Sequence, residues 1–223
     1  MQQLLLQLAP PSAPTLDNYL PGRNAAALQA LRDIARGAAA ERFVYLWGEP
    51  GSGRSHLLRG LAQAASGRKG VYLRDAAHFR AAEDGVIAVD DVQHLSPSDQ
   101  SALFDLFNRT RAAGGALVSS GDAAPAWLAL REDLRSRLAW GLAFQLHPLS
   151  DDEKAAALRA HARARSFALD EDVIAYLLKH APRDMASLIG ILDALDLYSL
   201  EYKRPITLPL VRDALKTMQI RIA

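Results

Sequence analysis

The sequence predicts an α/β domain built on a five-stranded parallel sheet covered by helices, followed by a small all-helical domain. Five short apolar runs alternate with helical patterns through the first two thirds of the chain. The turn after the first run is Gly48-Glu49-Pro50-Gly51-Ser52-Gly53-Arg54-Ser55, a glycine-rich loop at a strand–helix junction. Beyond His147-Pro148 no further strand is predicted, and helical patterns succeed one another.

The elements follow in order. Residues 1–14 read as a flexible tail, set apart by Pro10, Pro11 and Pro14, which forbid a continuous helix. Ala25 to Arg36 has helical periodicity. The strand candidates are Phe43–Trp47, Val71–Leu73, Val86–Val89, Ala116–Ser119 and Leu142–Leu146. Continuous apolar runs of this length suit parallel strands buried on both faces. Leu57, Leu58, Leu61 and Ala62 place a helix directly after the glycine-rich loop. The clearest helix runs from Ser96, as N-cap, to Arg111. Pro97 stands at its first position, Leu103, Phe104, Leu106 and Phe107 share one face, and Gly114-Gly115 stops it. Ser150-Asp151-Asp152-Glu153 is a capping box opening a helix to about Ser166. Asp170 opens the next, a third runs from about Asp184 to Tyr202, and a short one follows Thr207. The domain limits are thus 1–14, 15–148 and 149–223.

The chain has 223 residues, half of them apolar, so a substantial core is available. A net charge of +1 argues against a strongly basic nucleic-acid surface. With no cysteine there is no disulfide, thiolate metal site or cysteine nucleophile. The apolar start lacks a basic region and is too short for a signal or membrane helix. A soluble cytoplasmic protein without membrane association is expected.

The loop at 48–55 matches G-x-x-x-x-G-K-[ST] at every fixed position but one, Arg54 for lysine. Its glycines let successive N–H groups surround a phosphate, and the following helix directs its positive end at the same anion. Gly48, Glu49, Pro50, Gly51, Ser52, Gly53, Arg54, Ser55 and the adjoining His56 form the candidate nucleotide-binding stretch. Ser55 would bind Mg²⁺ through its hydroxyl. Arg54 is larger, planar and forked, so the exchange is not conservative. Roughly 40 residues on, Val86–Val89 ends in Asp90-Asp91. A parallel strand delivers its C-terminal end to the ligand crevice. Asp90 would hold Mg²⁺ through water, and Asp91 would orient an attacking water. Ser120 and Asp122, after the fourth strand, either touch nucleotide or cap the next turn.

With both motifs placed, the chain resembles the AAA+ P-loop ATPases, specifically the DnaA-related branch of bacterial replication initiators, over roughly residues 15–220. Thr15-Leu16-Asp17-Asn18-Tyr19-Leu20-Pro21-Gly22 looks like the initiator segment that contacts adenine, making Asn18, Tyr19 and Leu20 candidates. Asp90-Asp91-Val92-Gln93-His94-Leu95 is similar to its Walker B sequence, and Leu134-Arg135-Ser136-Arg137-Leu138-Ala139-Trp140-Gly141 to its arginine-finger segment. Read from the sequence, the chain ends after the helical lid, without the initiator's DNA-binding domain. Its tail, Gln3-Leu4-Leu5-Leu6-Gln7-Leu8, looks like a peptide that docks into the replicative sliding clamp through Gln3, Leu4, Leu5, Leu6 and Leu8. That combination resembles the regulatory inactivators of the initiator.

The resemblance implies catalysis in trans. The tail would bind a clamp loaded on DNA, so that DNA is reached mainly through the clamp. Arg137 would enter the nucleotide site of ATP-bound DnaA as an arginine finger. Two departures qualify the chain's own nucleotide chemistry: Arg54, and Ala186 at the aligned sensor-2 arginine, with Arg183 one turn away as a substitute. A bound ADP or another nucleoside diphosphate, with Mg²⁺ compatible, and weak or no intrinsic hydrolysis are expected. Self-association is compatible with the family. An autonomous DNA-stimulated loader or remodeller is the alternative, and a small-molecule kinase fits less well. From the residues alone, without the resemblance, Arg137 reads as a surface arginine on an amphipathic helix beside Arg131 and Arg135. His161 among Arg159, Arg163 and Arg165 reads as a solvated helix face, and Tyr72 and Phe79 as core.

Overall fold

A computed structural model describes residues 13–74, 78–79, 85–182, 184–202, 205–213 and 215. Gln3, Leu4, Leu5, Leu6, Leu8 and Arg183 lie outside the described residues. The chain divides into two compact units, Pro14–Pro148 and a second one comprising Leu149–Ala223.

The first unit contains α1 (Ala25–Arg36), β1 (Phe43–Gly48), α2 (Arg54–Ala64), β2 (Gly70–Leu73), β3 (Val86–Val89), α3 (Pro97–Ala112), β4 (Ala116–Gly121), α4 (Glu132–Leu138) and β5 (Leu142–Leu146). Its five-stranded sheet has the order β2-β3-β4-β1-β5, and each neighbouring pair is parallel. All five apolar runs are strands of this sheet.

Side chains alternate across each strand and so build two cores. Val44, Leu46, Val86, Ala88, Ala116 and Val118 face one way, packing with Leu28, Leu31 and Ile34 of α1 and Leu57, Leu58 and Leu61 of α2. Tyr45, Ile87, Val89 and Leu117 face the other, packing with Leu103, Leu106 and Phe107 of α3 and Leu134 and Leu138 of α4. Burial of the three central strands on both faces explains why β1, β3 and β4 lack polar alternation, whereas the edge strands β2 and β5 leave Val71 and Leu142 exposed.

Helix ends follow local chemistry. Gly37, at φ 76°, ends α1 and its N–H caps the Asp33 and Ile34 carbonyls. Ser96 accepts the Asp99 N–H at 3.3 Å, with Pro97 next in line. In the second unit, α5 (Asp151–Ala164) opens on a complete Ser150–Glu153 capping box, followed by α6 (Glu171–His180) and α7 (Met185–Tyr202). Leu158, Ile174, Leu177, Leu188, Leu192 and Leu195 form its own core.

The basic cluster around His161 is more engaged than a bare solvated face. His161 is half-buried with its Nε2 2.7 Å from Asp193 Oδ1, and Arg165 Nε lies 3.0 Å from the buried Asp196 carboxylate. Arg159 donates two hydrogen bonds to Glu171, at 2.7 and 2.6 Å. Arg159, His161 and Arg165 thus meet acids of α6 and α7, which lie on helices distant in sequence, while Arg163 and Arg165 stay exposed.

Leu61 is fully buried between α2 and the sheet. Leu61→Ala is expected to cost about 2–5 kcal/mol, measured as a lowered urea midpoint with an unchanged slope.

Candidate nucleotide-binding site

The strand order assembles the site. β4 lies between β1 and β3, so its C-terminal end sits between the glycine-rich loop after β1 and the acidic pair after β3. Register places Leu46 beside Ser120 and Val89 beside Ser119. Ser120 consequently reaches both acidic residues: its hydroxyl donates to Asp90 Oδ1, and its oxygen accepts the Asp91 N–H at 3.3 Å.

The loop from Gly48 to Ser55 leads into α2. Glu49, Pro50 and Gly51 are exposed, and Ser52 is buried. Gly53 sits at φ 91°, and a Cβ there would meet the Tyr19 ring at 2.6 Å. The close approach is used: the buried Tyr19 donates its hydroxyl to the Ser52 carbonyl at 3.2 Å. Asn24 holds that phenol in turn, donating to it at 2.9 Å. The Asn24 amide also donates to the His147 carbonyl at 2.8 Å and accepts the His147 N–H at 2.8 Å. Asn24 thus fastens the entering segment, the loop and the chain after β5 to one another. Alongside, His56 Nε2 lies 3.0 Å from the Thr15 carbonyl and 2.9 Å from Asn18 Oδ1. Burial lowers the His56 pKa, so its neutral form is favoured there. Leu20 is exposed, as is Asp122.

Two loop donors have no partner among the described residues: the Ser52 hydroxyl and Arg54 Nη1, both buried. Unmet buried donors are costly, and an oxyanion in the loop would satisfy them. The loop residues therefore fit a phosphate group.

The acidic pair is more occupied. Asp90 is buried, and both its oxygens accept hydroxyls, from Ser120 and, at 2.7 Å, from Tyr72. Asp91 adopts φ 56°, a conformation that Asp tolerates better than most residues. Its Oδ2 accepts from Arg74 at 2.7 Å and its Oδ1 from Gln93 at 3.1 Å, while Arg54 Nη2 stands 4.0 Å away. Burial opposes the Asp91 charge, but the Arg74 and Gln93 hydrogen bonds and the Arg54 charge outweigh it and hold its carboxyl below the usual range. No group of three or more potential metal-ligating side chains occurs among the described residues. A Mg²⁺ ion would therefore depend on the nucleotide's own oxygens and water, alongside Ser55 and Asp90.

Arg137 lies away from this loop, on α4. Its guanidinium carbon sits 5.5 Å from the ring centre of Phe104, 5.7 Å from Phe107 and 5.5 Å from Trp140. Among the described residues it has no acidic partner. Its neighbours are engaged: Arg131 binds Asp133 at 2.6 Å and Arg135 the Ala126 carbonyl at 3.3 Å.

Sequence reasoning placed the loop and the acidic pair but missed Asn24, Tyr72, Arg74 and Gln93. Arg74 follows β2 and so reaches the same edge of the sheet as Asp91. That signal was readable only once the strand order was known.

A parallel sheet of order 2-3-4-1-5, with a glycine-rich loop after β1 and acids after β3, is the AAA+ type of fold. Residues 73–145 match the family profile of the bacterial DnaA ATPase domain, and residues 151–215 that of the Hda lid domain. Over these two stretches the chain is similar to Hda and to the DnaA ATPase domain. Domain III of Thermotoga maritima DnaA superposes with a TM-score of 0.70 at 20% identity, covering 90% of this chain and 94% of that one. AMPPCP-bound DnaA from Aquifex aeolicus gives 0.69 at 21%, covering 85% and 67%. A Thermotoga maritima RuvB mutant gives 0.63 at 18%, covering 93% and 72%. These structural likenesses concern the fold.

Removing the Asn24 amide would leave the Tyr19 phenol and the His147 backbone without that partner. Asn24→Ala is expected to destabilise the chain by about 1–3 kcal/mol and to weaken nucleotide binding, read by urea unfolding and by calorimetric titration.

Proposed function

We propose that the chain is a negative regulator of chromosomal replication initiation that stimulates ATP hydrolysis on DnaA by supplying Arg137 in trans. The observation that carries this reading is the state of the arginines on α4. Arg131 and Arg135 are held within the chain, whereas Arg137 rests on aromatic rings without an acid. A guanidinium held this way keeps its donors for a partner's phosphate. Charge developing on the transferred phosphoryl group would be stabilised by it, an effect of about 10³–10⁵-fold in rate for arginine fingers.

The chain's own site supports the complementary half of the proposal. The carboxylate that would orient water, Asp91, is held by Arg74 and Gln93 with Arg54 nearby. A base so neutralised is poor at activating water, which favours weak or no intrinsic hydrolysis. ADP, or another nucleoside diphosphate, is proposed as a resident ligand over Gly48–Ser55, with Asn18, Tyr19, Leu20 and His56 on the nucleoside side. Ser120, Asp122 and Arg183 complete the proposed set, and Mg²⁺ would draw on Ser55 and, through water, Asp90. Bound nucleotide would supply the charge that the loop donors lack. The tail residues Gln3, Leu4, Leu5, Leu6 and Leu8 would bind the sliding clamp on DNA, raising the local concentration of regulator beside the initiator. Cytoplasmic location follows from those partners, and no described helix is long and apolar enough to cross a membrane.

Single-round hydrolysis of ATP preloaded on DnaA, with clamp loaded on DNA, tests the proposal. Wild type is expected to accelerate it strongly. Arg137→Ala and a deletion of residues 1–8 should each lose most of that effect. No acceleration by wild type, together with DNA-stimulated turnover by this chain alone, would instead identify an autonomous loader or remodeller.

A further inference from the structure

Asp91 is contested by two arginines from different elements. Arg54 begins α2, and Arg74 directly follows β2. The contacts are unequal: Arg74 Nη2 hydrogen-bonds Asp91 Oδ2 at 2.7 Å, while Arg54 Nη2 stands 4.0 Å from Oδ1. Gln93 donates to that same Oδ1 at 3.1 Å. Both Asp91 oxygens are thus held, Oδ2 by Arg74 and Oδ1 by Gln93, and Arg54 is left with a loose approach and a buried, unpartnered Nη1. The Ser52 hydroxyl is unpartnered as well. An anion in the loop would satisfy both donors. A carboxylate that closed onto Arg54 would compete for it.

We infer that Arg74 is a positioning residue of the phosphate site: by holding Asp91 it keeps that carboxylate from closing onto Arg54, leaving the Arg54 guanidinium to bind the terminal phosphate of a nucleoside diphosphate. The inference rests on the nucleotide reading of the loop. Arg74 needs no contact with the ligand. Its side chain is 60% exposed while those of Arg54 and Asp91 are 12% and 18% exposed. It therefore acts from the rim on a pair that is largely out of water. Lysine at position 54 would present a compact ammonium with no second amino group to share between carboxylate and phosphate. The forked guanidinium makes this competition specific to the arginine form of the loop.

The arrangement predicts a non-additive response. ADP binding to the full chain would be measured calorimetrically for wild type, Arg74→Ala, Asp91→Asn and the double variant. Arg74→Ala should weaken ADP by about tenfold, the scale of one partly screened charge contact. Asp91→Asn removes the competitor and should bind ADP at least as tightly as wild type. The double variant should match Asp91→Asn, because Arg74 has nothing left to hold. Arg74→Lys, which retains a positive charge, should recover most of the affinity, whereas a merely structural loss would not depend on Asp91. Unchanged affinity in Arg74→Ala, or an equal loss in the Asp91→Asn background, would overturn the inference while leaving the nucleotide site standing. Failure of wild type to bind ADP would overturn the nucleotide reading and the inference with it, whereas equal binding by Arg54→Ala would overturn the inference alone. Urea unfolding of each variant checks that the fold persists. If Arg74→Ala does not fold, Arg74→Gln carries the same comparison.

Discussion

Everything at the candidate site depends on β4 being hydrogen-bonded between β1 and β3. That pairing places Ser120 beside Leu46 on one flank and next to the Val89 level on the other. One hydroxyl can then orient Asp90 and receive the Asp91 backbone. Strands that follow one another in sequence would not achieve this. The crossover connections of a parallel sheet bring together residues from positions 52 to 120, and the two buried cores hold the strands in register.

On that frame, the two acids of the site are already engaged while the loop donors are not. Three cationic or amide groups surround Asp91, and two hydroxyls saturate Asp90. Meanwhile Arg54 and Ser52 keep unsatisfied donors. Arg137 shows the opposite balance, a cation stored against rings and not against a carboxylate. Aromatic storage is weak, about 0.5–2 kcal/mol per contact, so little is lost when the guanidinium turns to a better acceptor.

Much of the fold was legible because its signals are local. Val86–Val89 is an apolar run of strand length, and Ser150 with Glu153 completes a capping box within one helical turn. The glycine-rich loop was legible for the same reason, its glycines lying within a few residues of one another. What escaped was chemistry made through space. Asn24 meets His147 across 123 positions, and Arg74 meets Asp91 across 17. The His161–Asp193 pair also escaped, because Asp193 lies on α7 and nothing near His161 in sequence marks that acid as its neighbour. Arg131, Arg135 and Arg137 share one helical segment, and only their surroundings separate them.

The double hydrogen bond between Asn24 and His147 has a mechanical meaning. It joins the two ends of the α/β unit, close to its first and last described residues. Chain ends normally fray first. Here release of either segment breaks hydrogen bonds of the other, and the Tyr19 link extends that network to the loop. The unit is closed like a buckled strap: its termini and its phosphate loop belong to one cooperative block, and local opening at either end is opening of the site itself.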